Sequence, residues 1–239
     1  MLDSTDLKNI LVLDIETVPQ YSSYDQLDET WQKLWSKKIN SYIREGVTAA
    51  DVYDRAGIYS EFGKIICISA GFFFEDKGTL YFRVKSFAGD DEKEILKDFS
   101  DLLDSRYNSN ESLLCAHNGK EFDYPYIARR CLINGLKIPA ILDNSGKKPW
   151  EIRLLDTMDM WKFGDYKSYT SLNLLAAVFG IPSPKDDIDG SQVWSVYWKD
   201  KDLERIRTYC QKDVVTVAQL LLKFKGMQLL GQENIITAN

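Results

Sequence analysis

Five side chains in the 239-residue sequence have types and spacings that suit chemistry on a phosphate ester: Asp14, Glu16, Asp123, Tyr209 and Asp213. Asp14 and Glu16 lie two residues apart in the apolar run NILVLDIE. On a strand, that spacing sends both carboxylates out of the same face of the pleat. Two like charges beside an apolar strand are unfavourable unless a cation neutralises them, and hard divalent ions prefer such oxygen donors. Asp123 stands at a connection, just before a helix that Pro125 starts well. Tyr209 and Asp213 are four residues apart on a helical pattern and so share a face. Each feature alone also has an ordinary reading: a strand end reaching solvent, an acid complementing a helix dipole, an edge tyrosine beside a solvated aspartate.

The elements that must hold these residues follow from hydrophobic periodicity. Residues 9–16 predict a buried first strand, which Thr17-Val18-Pro19 is expected to end. Charged and aromatic segments with helical spacing, about residues 20–62, predict a helical insertion between the first and second strands. KIICISAGFFF and TLYFRVKSF, joined by EDKG, predict a hairpin. An amphipathic helix is expected over 90–106, a strand at SLLCAHN, and a helix from Pro125 to the stop at Asn134-Gly135. EIRLLDT reads as a short strand. The last strong element, 202–225, carries Leu203, Ile206, Cys210, Val214, Val217, Leu221 and Phe224 on one stripe. The sum is an α/β fold, a mixed sheet flanked by helices in a single domain spanning 1–239.

Composition narrows the field further. Hydrophobic residues make up 44% and charged residues 28%, which disfavours disorder and fibrous classes. The formal net charge of -6 opposes indiscriminate attraction to polyanions, so nucleic-acid contact must be local. No apolar run suits a membrane span and the start has no signal-peptide pattern, so the expected compartment is the cytoplasm. Cys67, Cys115, Cys131 and Cys210 are widely spaced, with one histidine in the chain to join them, and read as reduced core thiols. His117 reads as structural, and most of the six tryptophans as core. Arg129-Arg130 and Lys147-Lys148 are candidate phosphate contacts, as is Lys185 in the loop 181–192.

Taken in order, D-x-E on a first strand, N-x-x-x-F-D before a helix and Y-x-x-x-D on a late helix resemble the DEDDy branch of the 3′-5′ exonucleases. The flanking segments LVLDIETVP, EFGKIICIS, HNGKEFDYPYIARR, LLDTMDMW and YCQKDVVTVAQL are similar to the exonuclease-domain family related to family B DNA polymerases, over roughly Lys8 to Phe224. The resemblance implies a ribonuclease-H-like fold and a pair of Mg²⁺ or Mn²⁺ ions held by Asp14, Glu16, Asp123 and Asp213. Asp14 would bridge the two ions. Tyr209 would orient the attacking water, and Thr17, Asn118 and Phe122 would line the groove for a 3′ end. The implied substrate is single-stranded nucleic acid, DNA before RNA, cut to nucleoside 5′-monophosphates. A catalytically silent binding domain, an exoribonuclease, and a hydrolase of small phosphate esters are the alternatives.

Overall fold

The computed structural model describes residues 5–43, 46–165, 167, 169–182 and 188–238. Lys185 and much of its loop lie outside them. Six strands form one mixed sheet in the order β5-β4-β1-β2-β3-β6. Strand β1 (Ile10–Pro19) is followed by helix α1 (Glu29–Lys38), strands β2 (Gly63–Asp76) and β3 (Thr79–Ala88), helix α2 (Glu92–Arg106), strand β4 (Leu113–Ala116) and helix α3 (Asp123–Ile133). Strand β5 (Leu154–Asp156) leads into the short helices α4 (Thr157–Lys162), α5 (Leu172–Val178) and α6 (Val193–Ser195), the long helix α7 (Leu203–Phe224) and strand β6 (Ile235–Ala238). The predicted hairpin is β2–β3. Its two-residue turn, Lys77-Gly78, has positive φ at both positions, which matches the right-handed twist of the flanking strands.

Strand β1 is covered on both sides. Leu11, Leu13 and Ile15 pack with α2 and α3 residues, whereas Ile10 and Val12 pack with Val214, Val217 and Leu221 of α7. The period of two therefore assigns Asp14 and Glu16 to the face that α7 covers. Strand β4 runs parallel to β1 and its register stops at Val12↔Cys115, so β1 projects beyond its neighbour. The turn after β4 falls beside that projecting half, at the carboxyl ends of the parallel strands.

Three expectations gain detail here. Strand β1 runs past the expected bound at Glu16, through Thr17 and Val18 to Pro19, which pairs with Gly63 after a register shift between Glu16 and Thr17. Pro19 ends the strand at its rim, where a missing N–H costs no ladder bond. The insertion is helical over α1 but otherwise made of short 3-10 turns, including Tyr53–Ile58, around a small core of Leu27, Trp35, Ile39, Tyr53, Ala56 and Phe62. Only Trp35 of the six tryptophans is fully buried; Trp31 and Trp150 are exposed, and Trp161, Trp194 and Trp198 are half-buried.

Candidate active site

The side chains from β1, α3 and α7 meet where β1 outruns β4. Asp14 and Glu16 leave β1 toward α7, where Cys210 places its Sγ 3.4 Å from both the carbonyl oxygen and Oδ2 of Asp14. Asp14, Glu16 and Cys210 each present one ligand atom within 4.8 Å of the others. Asp123 enters from the start of α3: its Oδ1 accepts the Ile15 N–H at 3.1 Å, a group left without a ladder partner by the end of β4. The carboxylate thus replaces the missing strand. Tyr209 and Asp213 stand one turn apart on α7.

The electrostatics show how crowded this site is. Burial first, then the charges of Asp123 and Asp213, hold the Asp14 carboxyl well above the usual range. Burial and Asp14 do the same to Glu16. Asp123 is pushed up to about 7, chiefly by burial and against the amides that stabilise its charge. The Tyr209 hydroxyl is pushed far upward by burial, Asp213, Glu16 and Asp14. Asp213 thus acts electrically on each of the other four residues.

The donor set fits hard divalent cations. Glu16 is only 7% exposed, yet it has no hydrogen bond or ion pair among the described residues. A buried carboxylate is costly without a counter-charge. Carboxylates from Asp14, Glu16, Asp123 and Asp213 would supply oxygens of the type that Mg²⁺ and Mn²⁺ take.

A pocket of about 380 Å³ opens beside the carboxylates, lined in part by Ile15, Glu16, Thr17, Phe122, Trp194 and Arg55. Thr17 and Phe122 thus share a wall of this pocket with Glu16. Asn118 is not part of this lining. Its backbone turns at φ 61, its N–H donates to Asp156, and its side-chain oxygen is buried with no partner among the described residues.

Several residues play parts that their sequence context does not declare. Cys210, expected as a packing thiol, contacts the central carboxylate. Asp156 collects the N–H groups of Asn118, Lys120 and Met158 at 2.9 to 3.0 Å and so fixes the turn that leads to Asp123. An aspartate between a strand and a helix signals an N-cap, and that signal was present in LLDTM. Arg130 is not a phosphate contact. It is buried, and its guanidinium grips Glu92 in a two-pronged ion pair while donating to the Ser60 carbonyl. His117 is structural: Nε2 donates to the Thr170 carbonyl, leaving Nδ1 to accept from the Thr157 hydroxyl, each at 2.9 Å.

The fold is similar to that of a family B DNA polymerase from Pyrobaculum calidifontis, with a TM-score of 0.53 and 16% identity over 90% of this chain and 24% of that one. In sequence, DNA polymerases of Pyrococcus glycovorans and of Thermococcus sp. (strain 9oN-7) are each 25% identical over 160 residues, covering 59% of this chain. The match spans 20% of the length of each of these two relatives. Residues 58–234 match the model of a family described as a predicted 3′-5′ exonuclease related to the exonuclease domain of PolB, and the chain belongs to that family. The matched stretch holds Asp123, Tyr209 and Asp213; β1, with Asp14 and Glu16, precedes it.

Proposed function

We propose that this protein is a metal-dependent 3′-5′ exonuclease that removes nucleoside 5′-monophosphates from unpaired 3′ ends, with DNA preferred over RNA. The observation that carries the reading is the convergence of Asp14, Glu16, Asp123, Asp213 and Tyr209 from three separate elements into one partly buried, mutually repelling cluster. Kinship with DNA polymerases supports DNA as the substrate.

Asp14, Glu16 and Asp213 would hold one divalent ion, and Asp14 with Asp123 a second. Such a pair, when bound, lowers the pKa of a coordinated water and stabilises the charge on the leaving oxygen. Asp14 is held in its orientation by the Cys210 thiol. Asp123 is held by the Ile15 amide, which leaves its other oxygen for a ligand. Tyr209, with its proton bound far more tightly than in water, acts as a hydrogen-bond donor that orients the nucleophile rather than as a base. Phe122 and Thr17 wall the space in which the terminal nucleoside rests.

The test is hydrolysis of DNA and RNA oligonucleotides labelled at either end, with Mg²⁺, Mn²⁺ or chelator. Stepwise release of mononucleotides from the 3′ terminus is expected, with DNA cleaved faster and chelator abolishing the reaction. Asp14→Asn should lower the rate about 1,000-fold, by removing charge from the centre of the site. Tyr209→Phe should lower it about 100-fold. Internal cuts, attack from the 5′ end, or full activity in Asp14→Asn would refute the reading. Faster cleavage of RNA would overturn the DNA preference.

A further inference from the structure

The pocket beside Glu16 has a wall that belongs to the insertion. Tyr53–Ile58 lies against the carboxyl half of β1, and the approach is close: a Cβ on Gly57 would fall 3.0 Å from Val18 Cα and 3.2 Å from the Thr17 carbonyl oxygen. The Gly57 carbonyl accepts the Tyr126 hydroxyl of α3 at 2.7 Å. A side chain here would press on the β1 backbone, so glycine suits the position, and the segment is pinned to two of the elements that carry the acids.

On either side of Gly57, Arg55 and Ile58 face the pocket. Ile58 is 48% exposed, although its neighbours Ala56 and Gly57 are buried. It shares the lining with Phe122 and Trp194, so a clamped segment presents apolar surface next to a carboxylate cluster. Arg55 lies over the Tyr42 ring, 4.8 Å from its centroid, and its guanidinium has no carboxylate partner among the described residues. Its forked donors are thus oriented but unspent, the state in which arginine suits a phosphate. In a chain of net charge -6, a polyanion needs such a local cation. The volume, about 380 Å³, falls near the lower end for ligand pockets and has room for one nucleoside rather than a base pair.

We propose that residues 53–58 form a substrate-reading wall, in which Arg55 binds a backbone phosphate of the incoming strand and Ile58 packs against its terminal nucleoside. The proposal rests on the exonuclease reading and specifies how it selects an unpaired end. Arg55 and Ile58 are positioned for binding and take no part in bond cleavage.

The experiment compares wild type, Arg55→Ala, Arg55→Lys and Ile58→Ala. A fluorescent single-stranded deoxyoligonucleotide is titrated in chelator across a series of salt concentrations, and hydrolysis of single-stranded and blunt duplex ends is measured with Mg²⁺. Both side chains are exposed, so matched melting midpoints establish that the variants are folded. Arg55→Ala should raise Kd and KM together, about tenfold, with kcat within about twofold, and should reduce the slope of log K against log salt by about 0.7, the value for one phosphate of a single strand. Arg55→Lys should recover that slope with weaker affinity. Ile58→Ala should shrink the preference for single-stranded over blunt ends. If wild type cleaves and the variants match it in affinity, salt slope and end preference, or lose kcat alone, the wall is refuted and the exonuclease stands. If wild type neither binds nor cleaves any oligonucleotide, both readings fall.

Discussion

Asp156 holds the turn before Asp123 by accepting N–H groups on both of its carboxylate oxygens. Removing this acceptor would strand buried donors, each worth about 1 to 3 kcal/mol when left unpaired. Asp156→Ala should therefore lower stability by about 3 kcal/mol in urea denaturation and weaken binding of divalent ions. Asp156→Asn, which turns one acceptor into a donor facing the Lys120 N–H, should cost less. Normal stability in Asp156→Ala would show that the turn is held elsewhere. The four acids and the phenol of the candidate site are legible in the sequence because each signal is local: two positions on a strand, one turn of a helix, or the start of a helix. Asp156 and Cys210 are less so. Their partners lie 38 and 196 residues away, and nothing within a short window distinguishes Cys210 from the apolar residues that share its stripe.

The same limit governs the elements. Helical periodicity puts Arg130 on a stripe with Tyr126 and Ile127, yet a long cationic side chain on such a stripe reads as a surface residue. In the fold it joins α3 to Glu92 at the start of α2, while Glu92 also accepts the Ile65 N–H of β2 at 2.7 Å. This buried pair sets how α3, and with it Asp123, sits against the sheet. Breaking one member leaves the other charge buried and uncompensated, so Glu92→Gln should destabilise by about 3 to 5 kcal/mol. Replacing both with apolar residues, as in Glu92→Leu with Arg130→Met, should cost less than Glu92→Gln alone. Chemical denaturation of the single and double variants decides this; a double variant worse than the single would mean that the pair contributes more than it costs to bury. Strand β6 escaped notice for a related reason. IITA is only four residues long, and its place beside β3 depends on where α7 delivers the chain.

Across the whole molecule, the repelling carboxylates make stability depend on pH and on metal together. Asp14, Glu16 and Asp123 all hold protons more tightly when folded than the ordinary values of 3.8, 4.5 and 3.8, Asp123 up to about 7. Between about pH 4 and 7 the folded chain therefore binds more protons at these sites than the unfolded chain, and its stability falls as pH rises through that window. His117 gives the opposite slope on the acid side, because burial lowers its pKa and protonation favours unfolding. An Asp14→Asn variant keeps His117 and loses one of the acids, so the difference between the two proteins isolates the cluster. In chelator, the melting midpoint of wild type should drop from pH 5 to pH 8 by more than that of Asp14→Asn. Mg²⁺ or Mn²⁺ at about 100 times its Kd should then restore about 2.7 kcal/mol, or about 5 to 10 °C, at pH 8. The gain should be much smaller at pH 5, where protons compete for the same oxygens. Thermal melts at the two pH values, with and without metal, check each part. Equal metal stabilisation at both pH values, or the same stabilisation in Asp14→Asn, would place the ion somewhere other than among these carboxylates.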